Sequence, residues 1–153
     1  MSWSRLEAEA PELAHLCRAR LEELGVALLG TLRRDGSPRI DPVEPHFVAD
    51  ELVLGAMRGT AKARGLRRDP RCVLHSTISG PNTGEPDVKL SGRVRPSATR
   101  AGWWVKRPAE EVEVYALEVE EAVAIEWNLA ASTMRVRRWT PAAGETIAER
   151  PYP

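Results

Sequence analysis

The chain has 153 residues, and its 22 Lys and Arg balance 22 Asp and Glu, so the formal net charge is zero and the sequence pI is near 6.9. That length suits one domain and excludes a second of full size, and the neutral balance argues against a nucleic-acid partner, which calls for a basic excess. At 42% apolar and 29% charged residues, a real core is available and global disorder is excluded. The longest nearly uninterrupted apolar run, Val26 to Leu32, falls far short of the roughly 20 residues of a membrane span, so no membrane partner is expected. The N-terminal segment MSWSRLEAEA is acidic and lacks the apolar stretch of a secretory signal. Cys17 and Cys72 therefore read as reduced thiols of a cytoplasmic protein. No Cys/His spacing resembles a zinc site, and no metal is expected.

In chain order, Leu13, Leu16, Cys17, Leu21 and Leu24 recur at spacings of three and four. They mark one stripe of an amphipathic helix that starts near Pro11 and stops at Gly25. Val26 to Leu32 is apolar on both faces, as in a buried strand. Arg34-Asp35-Gly36-Ser37 is a hairpin turn. Arg39 to Val48 reads as the returning strand, bulged or at an edge because Pro42 and Pro45 cannot donate to a ladder. Leu52 to Met57 is the next strand, and Thr60 to Arg68 a short helix capped by Thr60. Arg71 to Ile78 is a strand, and Ser79 to Pro86 a loop rich in Gly and Pro. Asp87 to Arg95 alternates, with Val88, Leu90 and Val94 on one face. Ser97 to Trp104 suggests a helical turn, while Val112 to Ile125 and Met134 to Trp139 read as strands. Residues 141 to 153 hold three prolines and are expected to be irregular. Six or seven strands joined by short turns, with one opening helix and one internal helix, predict a mostly antiparallel β-barrel or sandwich.

The stretch that carries chemistry is Met57-Arg58-Gly59-Thr60-Ala61-Lys62, between a strand and a helix. Arg58, Lys62, Arg64, Arg67, Arg68 and Arg71 surround it against a single acid, Asp69. A helix start offers unpaired N–H groups and partial positive charge. Gly59 permits close backbone approach, Thr60 adds a hydroxyl and Lys62 a point charge. Together they make a phosphate cradle. The same residues also make a solvated basic helix with an ordinary Thr cap, and spacing alone does not separate the two.

Gly30-Thr-Leu-Arg-Arg-Asp-Gly-Ser-Pro-Arg-Ile-Asp-Pro-Val43 resembles the opening hairpin of the pyridoxamine 5′-phosphate oxidase-like flavin-binding split-barrel family. Leu66-Arg-Arg-Asp-Pro-Arg71 is similar to the segment after that family's phosphate turn, and Asp87-Val-Lys-Leu-Ser-Gly92 to its next strand. Arg137-Arg-Trp-Thr-Pro141 and Arg150-Pro-Tyr-Pro153 are similar to the tails of uncharacterised members. The resemblance implies a six-stranded antiparallel split β-barrel over residues 26–141, preceded by an N-terminal helix over 1–25 and followed by an irregular tail over 142–153. It implies a homodimer that holds FMN at its interface and transfers a hydride to or from a small conjugated substrate. Thr60 and Lys62 would hold the cofactor's phosphate. Arg39 and Val43 would lie along its ring and ribityl chain, with Ala56 and Met57 flanking the ring through their backbones. Asp87 stands where true pyridoxamine phosphate oxidases have a Gln, which gives the ring-edge role to Lys89. Ala61 stands where many members have an Arg, which leaves Arg58 or Arg64 to supply the second cation. No segment matches the family's pyridoxal-phosphate substrate residues, and no catalytic side chain is required, since the cofactor carries the chemistry.

A branch of the same family uses the deazaflavin coenzyme F420, with a longer, polyanionic tail. The 19 Arg against three Lys fit the GC-rich genomes in which it occurs. Two non-catalytic alternatives remain: a flavin carrier or sensor, and a tetrapyrrole or haem-binding barrel with His46 or His75 as ligand. Either histidine could also act as a general acid, or be simply hydrogen-bonded. His15 reads as helix surface, Trp127 and Trp139 as core or interface, and Trp103-Trp104 as the edge of a substrate pocket. Arg39 and Asp41 could be a plain surface ion pair. Glu118, Glu120 and Glu121 read as solvated acids at an exposed strand end, and could also pair across strands with Arg135, Arg137 and Arg138.

Overall fold

In the computed structural model, which describes residues 3–80 and 82–152, three α-helices decorate one antiparallel sheet of nine strands. Pro81 of the 79–86 loop and Pro153 of the tail lie outside the described residues. α2 (Pro11–Leu24) begins with Pro in its first turn and ends at Gly25, whose φ of 65° no β-carbon opposes. The Gly25 amide donates to the Leu21 carbonyl at 3.1 Å, so the predicted helix stands at both ends. The helix expected over 1–25 is two helices: α1 (Trp3–Glu9) stands apart from α2, and seven residues give too short a stripe to register as periodicity. Trp3 and Leu6 are buried in the same core as Leu13, Cys17 and Leu21 of α2, and His15 is exposed, as expected.

β1 (Ala27–Leu32) and β2 (Pro38–Val43) form the predicted hairpin. Its turn is closed by Asp35, which accepts from the Ser37 amide at 2.9 Å and hydroxyl at 2.6 Å. The expected single strand from Arg39 to Val48 is instead two. Chain pairing breaks at Glu44, and β3 (Pro45–Val48) turns away to pair with β4 (Glu51–Met57). The two prolines explain the break, since each removes a ladder donor. The main path of the sheet runs β2-β1-β5-β6-β7-β4-β3, with β5 at Arg71–Ser76, β6 at Asp87–Pro96 and β7 at Val112–Asn128. Its two ends, β2 and β3, are one residue apart in sequence. The sheet must therefore curl until those ends meet, which makes it a barrel with a seam at Glu44.

The expected six or seven strands become nine because β3 separates from β2 and because β9 (Gly144–Pro151) joins β8 (Thr133–Thr140), the strand foreseen at Met134–Trp139, in extending the sheet from β7. The tail expected to be irregular is thus mostly β9. Gly144, with φ of 69°, makes its turn, and Pro151 is tolerated at the end of an edge strand. Arg137 of β8 locks this hairpin to α2 and β7 through three carboxylates: Glu12 at 2.8 Å, Glu145 at 3.1 Å and Glu126 at 3.2 Å. Trp139 is fully buried and donates to Glu9 at 3.1 Å. Of the acids on β7, Glu121 pairs with Arg138, the alternative to a solvated acid. Glu120 and Glu118 pair with Arg93 and Arg95 on β6 instead.

The core fills the barrel with Leu29, Leu54, Leu74, Leu90, Leu117 and their neighbours, and α1 and α2 cover one mouth. A second, smaller cluster lies around Val53, Val112, Val114 and Ala116. It is covered by a strap that contains the 3-10 turn Gly102–Lys106, whose Trp104 is fully buried. The strap is tied down at Glu51, which accepts from Ser97 at 2.9 Å, Thr99 at 2.6 Å and Arg95.

Candidate functional site

α3 (Ala61–Arg68) begins as the sequence predicts. Thr60 Oγ1 accepts from the Ala63 amide at 3.2 Å and donates to the Met57 carbonyl at 2.8 Å. The cap satisfies one amide of the first turn. Those of Ala61 and Lys62 have no intrahelical acceptor at a helix start. Lys62 lies back along β2, where its Nζ donates to the Pro42 carbonyl at 3.1 Å. An ammonium carries three donors, so this bond leaves capacity for an anion. Burial pushes the Lys62 pKa down, the nearby Asp41 pulls it up, and the Arg39 cation lowers it again.

Arg39 and Asp41, alternate residues on β2, form a two-pronged ion pair at 2.7 and 2.9 Å. The Arg39 guanidinium holds the Asp41 carboxyl below its usual range. The ion pair foreseen in the sequence therefore exists; its Asp41 also feels the charge of Lys62, and Arg39 and Lys62 repel each other.

Three hollows lie near these groups. A cleft of about 330 Å³ at the barrel seam is lined by Pro42, Val43, Gly55, Lys62 and Trp103, with Val26 and Glu44 at its edge. A basic hollow of about 220 Å³ lies between the β1–β2 turn and α3, with Arg33, Arg34, Arg39, Arg64 and Arg68 around it. On the outer face of β1, β2 and β5 runs an apolar groove of about 540 Å³, floored by Leu28, Gly30, Ile40 and Val73, with Arg39, Arg71, His75 and Lys89 around it. Arg39 borders both the groove and the basic hollow.

The expected site residues therefore divide. Val43 and Lys62 share the seam cleft, with Thr60 capping the helix behind them. Arg39 borders the groove at its edge but shares the Asp41 and Val43 face of β2, toward α3, whereas Lys89 of β6 lies in the groove. Ala56 is buried inside the barrel and pairs through its backbone with Glu113. Met57 packs half-buried against the second core cluster. Arg58 is exposed, and its amide donates to the Glu111 carbonyl at 2.8 Å. Of the helix arginines, Arg64 bonds the Gly59 carbonyl, Arg68 the Leu32 carbonyl at 2.7 Å, and Arg67 pairs with Glu113 at 2.7 Å. Asp87 lies apart, in a separate hollow with Trp127 and Tyr152.

Trp103 does border the cleft, as expected, at about one-third exposure. What the sequence did not reveal is its support. Trp103 meets Trp104 edge to face at 5.7 Å, and Trp104 meets His46 at 4.9 Å. The Trp104 indole occupies the space that a β-carbon on Gly55 would need: one built there falls 2.5 Å from it. A Gly between Leu54 and Ala56, in a strand otherwise apolar, was the available signal, since such a Gly marks a close approach. His46 is committed to this packing. His75 lines the groove and has its Nδ1 2.6 Å from the Ser76 carbonyl.

A phosphate-bearing planar cofactor fits these residues. The donors around the start of α3 are cationic or amide, the cleft wall is aromatic and aliphatic, and the cavities fall in or near the range of roughly 300–1,000 Å³ typical of small-molecule sites. Among the described residues no helix is long and apolar enough to cross a membrane, and no group of His, Cys, Asp and Glu could hold a metal ion.

Comparison with known proteins agrees in fold. A pyridoxamine 5′-phosphate oxidase-related, FMN-binding protein from Nostoc punctiforme superposes with a TM-score of 0.64 at 11% identity, covering 92% of this chain and 95% of that one. PhzG from Burkholderia lata, in complex with tetrahydrophenazine-1-carboxylic acid, gives 0.66 at 14% identity, covering 96% and 92%. A heme-binding protein from Mycobacterium smegmatis gives 0.57 at 13% identity, covering 90% and 88%. Comparison with curated proteins gives no match. The model of the pyridoxamine 5′-phosphate oxidase family matches residues 13–123, most of the barrel, and the chain belongs to that family.

Proposed function

We propose that this chain is a homodimeric oxidoreductase that binds FMN and moves a hydride between it and a small conjugated substrate. The observation that carries the reading is the convergence of Lys62, Arg39 and the open amides of α3 on one corner beside an aromatic-walled cleft. Lys62 and the Ala61 and Lys62 amides would hold the phosphate. Arg39 would release part of its hold on Asp41 to share it, or stay paired and lend its field. Val43 and Trp103 would line the flat part of the ligand and keep water from it. When bound, the flavin supplies the hydride chemistry. Exposed apolar residues on the same flank, Val26, Leu28 and Ile40, the last 68% exposed, form the face on which a second copy would close. The buried, unpaired Cys17 and Cys72 suit a reducing cytoplasm.

The test is flavin fluorescence quenching on the purified chain. Saturable quenching by the parent and its loss in Lys62→Ala support the reading; equal quenching by both removes its basis. The five arginines of the basic hollow also favour the deazaflavin coenzyme, whose extra charges would lie there. A competition titration between the two coenzymes decides the order. Haem binding has one observation in its favour. With Nδ1 tied to a carbonyl, His75 keeps Nε2 for a ligand. A haemin titration that gives no Soret shift dismisses it.

A further inference from the structure

The outer groove has a charge pattern that the cofactor corner does not explain. Its floor is aliphatic: Leu28, Gly30, Ile40 and Val73. Gly30 is what keeps it open, since a β-carbon there would fall 2.7 Å from the Val73 side chain. No carboxylate lines the groove, and four basic residues border it. Two of these are already neutralised, Arg39 by Asp41 at 2.7 Å and Arg71 by Asp69 at 2.6 Å. The other two, His75 on β5 and Lys89 on β6, are direct partners across the ladder. Among the described residues neither has a carboxylate within ion-pair reach; the nearest acid along β6, Asp87, lines a different hollow. The result is an apolar trough about 540 Å³ in volume with two donors without a counter-charge at one end.

We infer that this groove binds a flat, apolar monoanion, an aromatic or conjugated carboxylate, with its carboxylate on Lys89 and His75 and its rings along Leu28, Ile40 and Val73. As a binding site the inference stands on the groove alone. The pattern fits one charge and no more: a dianion would leave its second group on the aliphatic floor, where burial without a partner is unfavourable. A neutral ligand would leave the Lys89–His75 end unmatched. A second copy closing on this flank would roof the trough and dehydrate it, which strengthens the charge contact.

The experiment titrates the full chain with naphthoate, followed by the probe's own fluorescence, and with neutral naphthamide by calorimetry. The parent, Lys89→Met and His75→Gln are compared, and FMN affinity is measured on each. Lys89→Met keeps the aliphatic stem, and the residue is exposed, so folding is preserved. Binding of naphthoate at least about tenfold tighter than naphthamide in the parent, with that preference lost in Lys89→Met and reduced in His75→Gln, is the expected result. It supports the site whether or not FMN binds. Equal affinity for acid and amide in the parent, or an unchanged preference in Lys89→Met, overturns it. So does a chain that binds FMN normally and ignores naphthoate, which would mean that the second copy's own side chains fill the trough; the flavin reading would survive that result.

Discussion

Gly55→Ala tests how the seam cleft is built. The added methyl would sit 2.5 Å from one indole carbon of Trp104 and 2.8 Å from two others, well inside contact distance. Trp104 is fully buried between Val53, Val112, Val114 and Ala116, so it has no space into which to retreat. Either the β4 backbone shifts or the strap lifts. Overpacking of this kind costs about 1–3 kcal/mol. For a chain of this size that lowers the melting temperature by about 2–12 °C. Because Trp103 rests edge-on against Trp104, lifting the strap also moves the cleft wall, so FMN affinity should fall although Gly55 carries no side chain to touch it. Urea unfolding gives the stability, and near-ultraviolet circular dichroism reports the paired indoles. In a Trp104→Leu background the clash is gone, and Gly55→Ala should then cost less than about 1 kcal/mol. A loss within about 0.5 kcal/mol of zero in the parent, or the same loss in both backgrounds, would refute the seat.

Gly92→Ala places a methyl 2.0 Å from the Glu118 carbonyl at the β6–β7 register shift, where the obstacle is backbone. Its cost should reach the upper end of the 1–3 kcal/mol overpacking range, about 3 kcal/mol in urea unfolding, and a neutral result would contradict the register. Arg137→Met leaves Glu12, Glu126 and Glu145 without their shared cation. The expected loss is about 1–2 kcal/mol, shrinking in high salt; a salt-independent loss would point to packing alone. Glu85 is held by the Ser79 amide and hydroxyl, by Thr83 and by the buried Arg20, and its pKa is lowered from 4.5 to about 2. The folded state therefore binds its proton later than the unfolded chain does. Its contribution is complete above pH 4.5 and is lost as pH falls through about 2. Glu85→Gln should flatten the acid-unfolding curve across that window, and an unaltered curve would show that the anchor is idle.

The elements legible in the sequence were those with strong local marks. Pro11 and Gly25 bracket α2, Asp35-Gly36 makes the hairpin, and Thr60 caps α3. Three features were not legible because nothing local encodes them. α1 is too short for periodicity and is held by the burial of Trp3 and Leu6. β9 is exposed along nearly its whole length, so it carries no apolar alternation, and only pairing with β8 makes it a strand. The break at Glu44 follows from closure of the barrel, a global constraint that two prolines permit but do not announce. At the site, the placement of Thr60, Lys62 and Val43 near one helix start was readable from motif order, and that of Trp103 from the Gly before it in a turn. The separation of Lys89 from Lys62 was not, because strand alternation gives a face but not which hollow that face borders. Likewise Ala56 and Met57 neighbour the motif in sequence yet point their side chains into the two cores.

The central claim is that one anionic group is gripped at the start of α3. A crystal structure of the chain grown with FMN tests it most directly. Phosphate oxygens within hydrogen-bond distance of Lys62 Nζ and the Ala61 or Lys62 amide are the result the account predicts. A bound FMN whose phosphate lies away from that corner would contradict it.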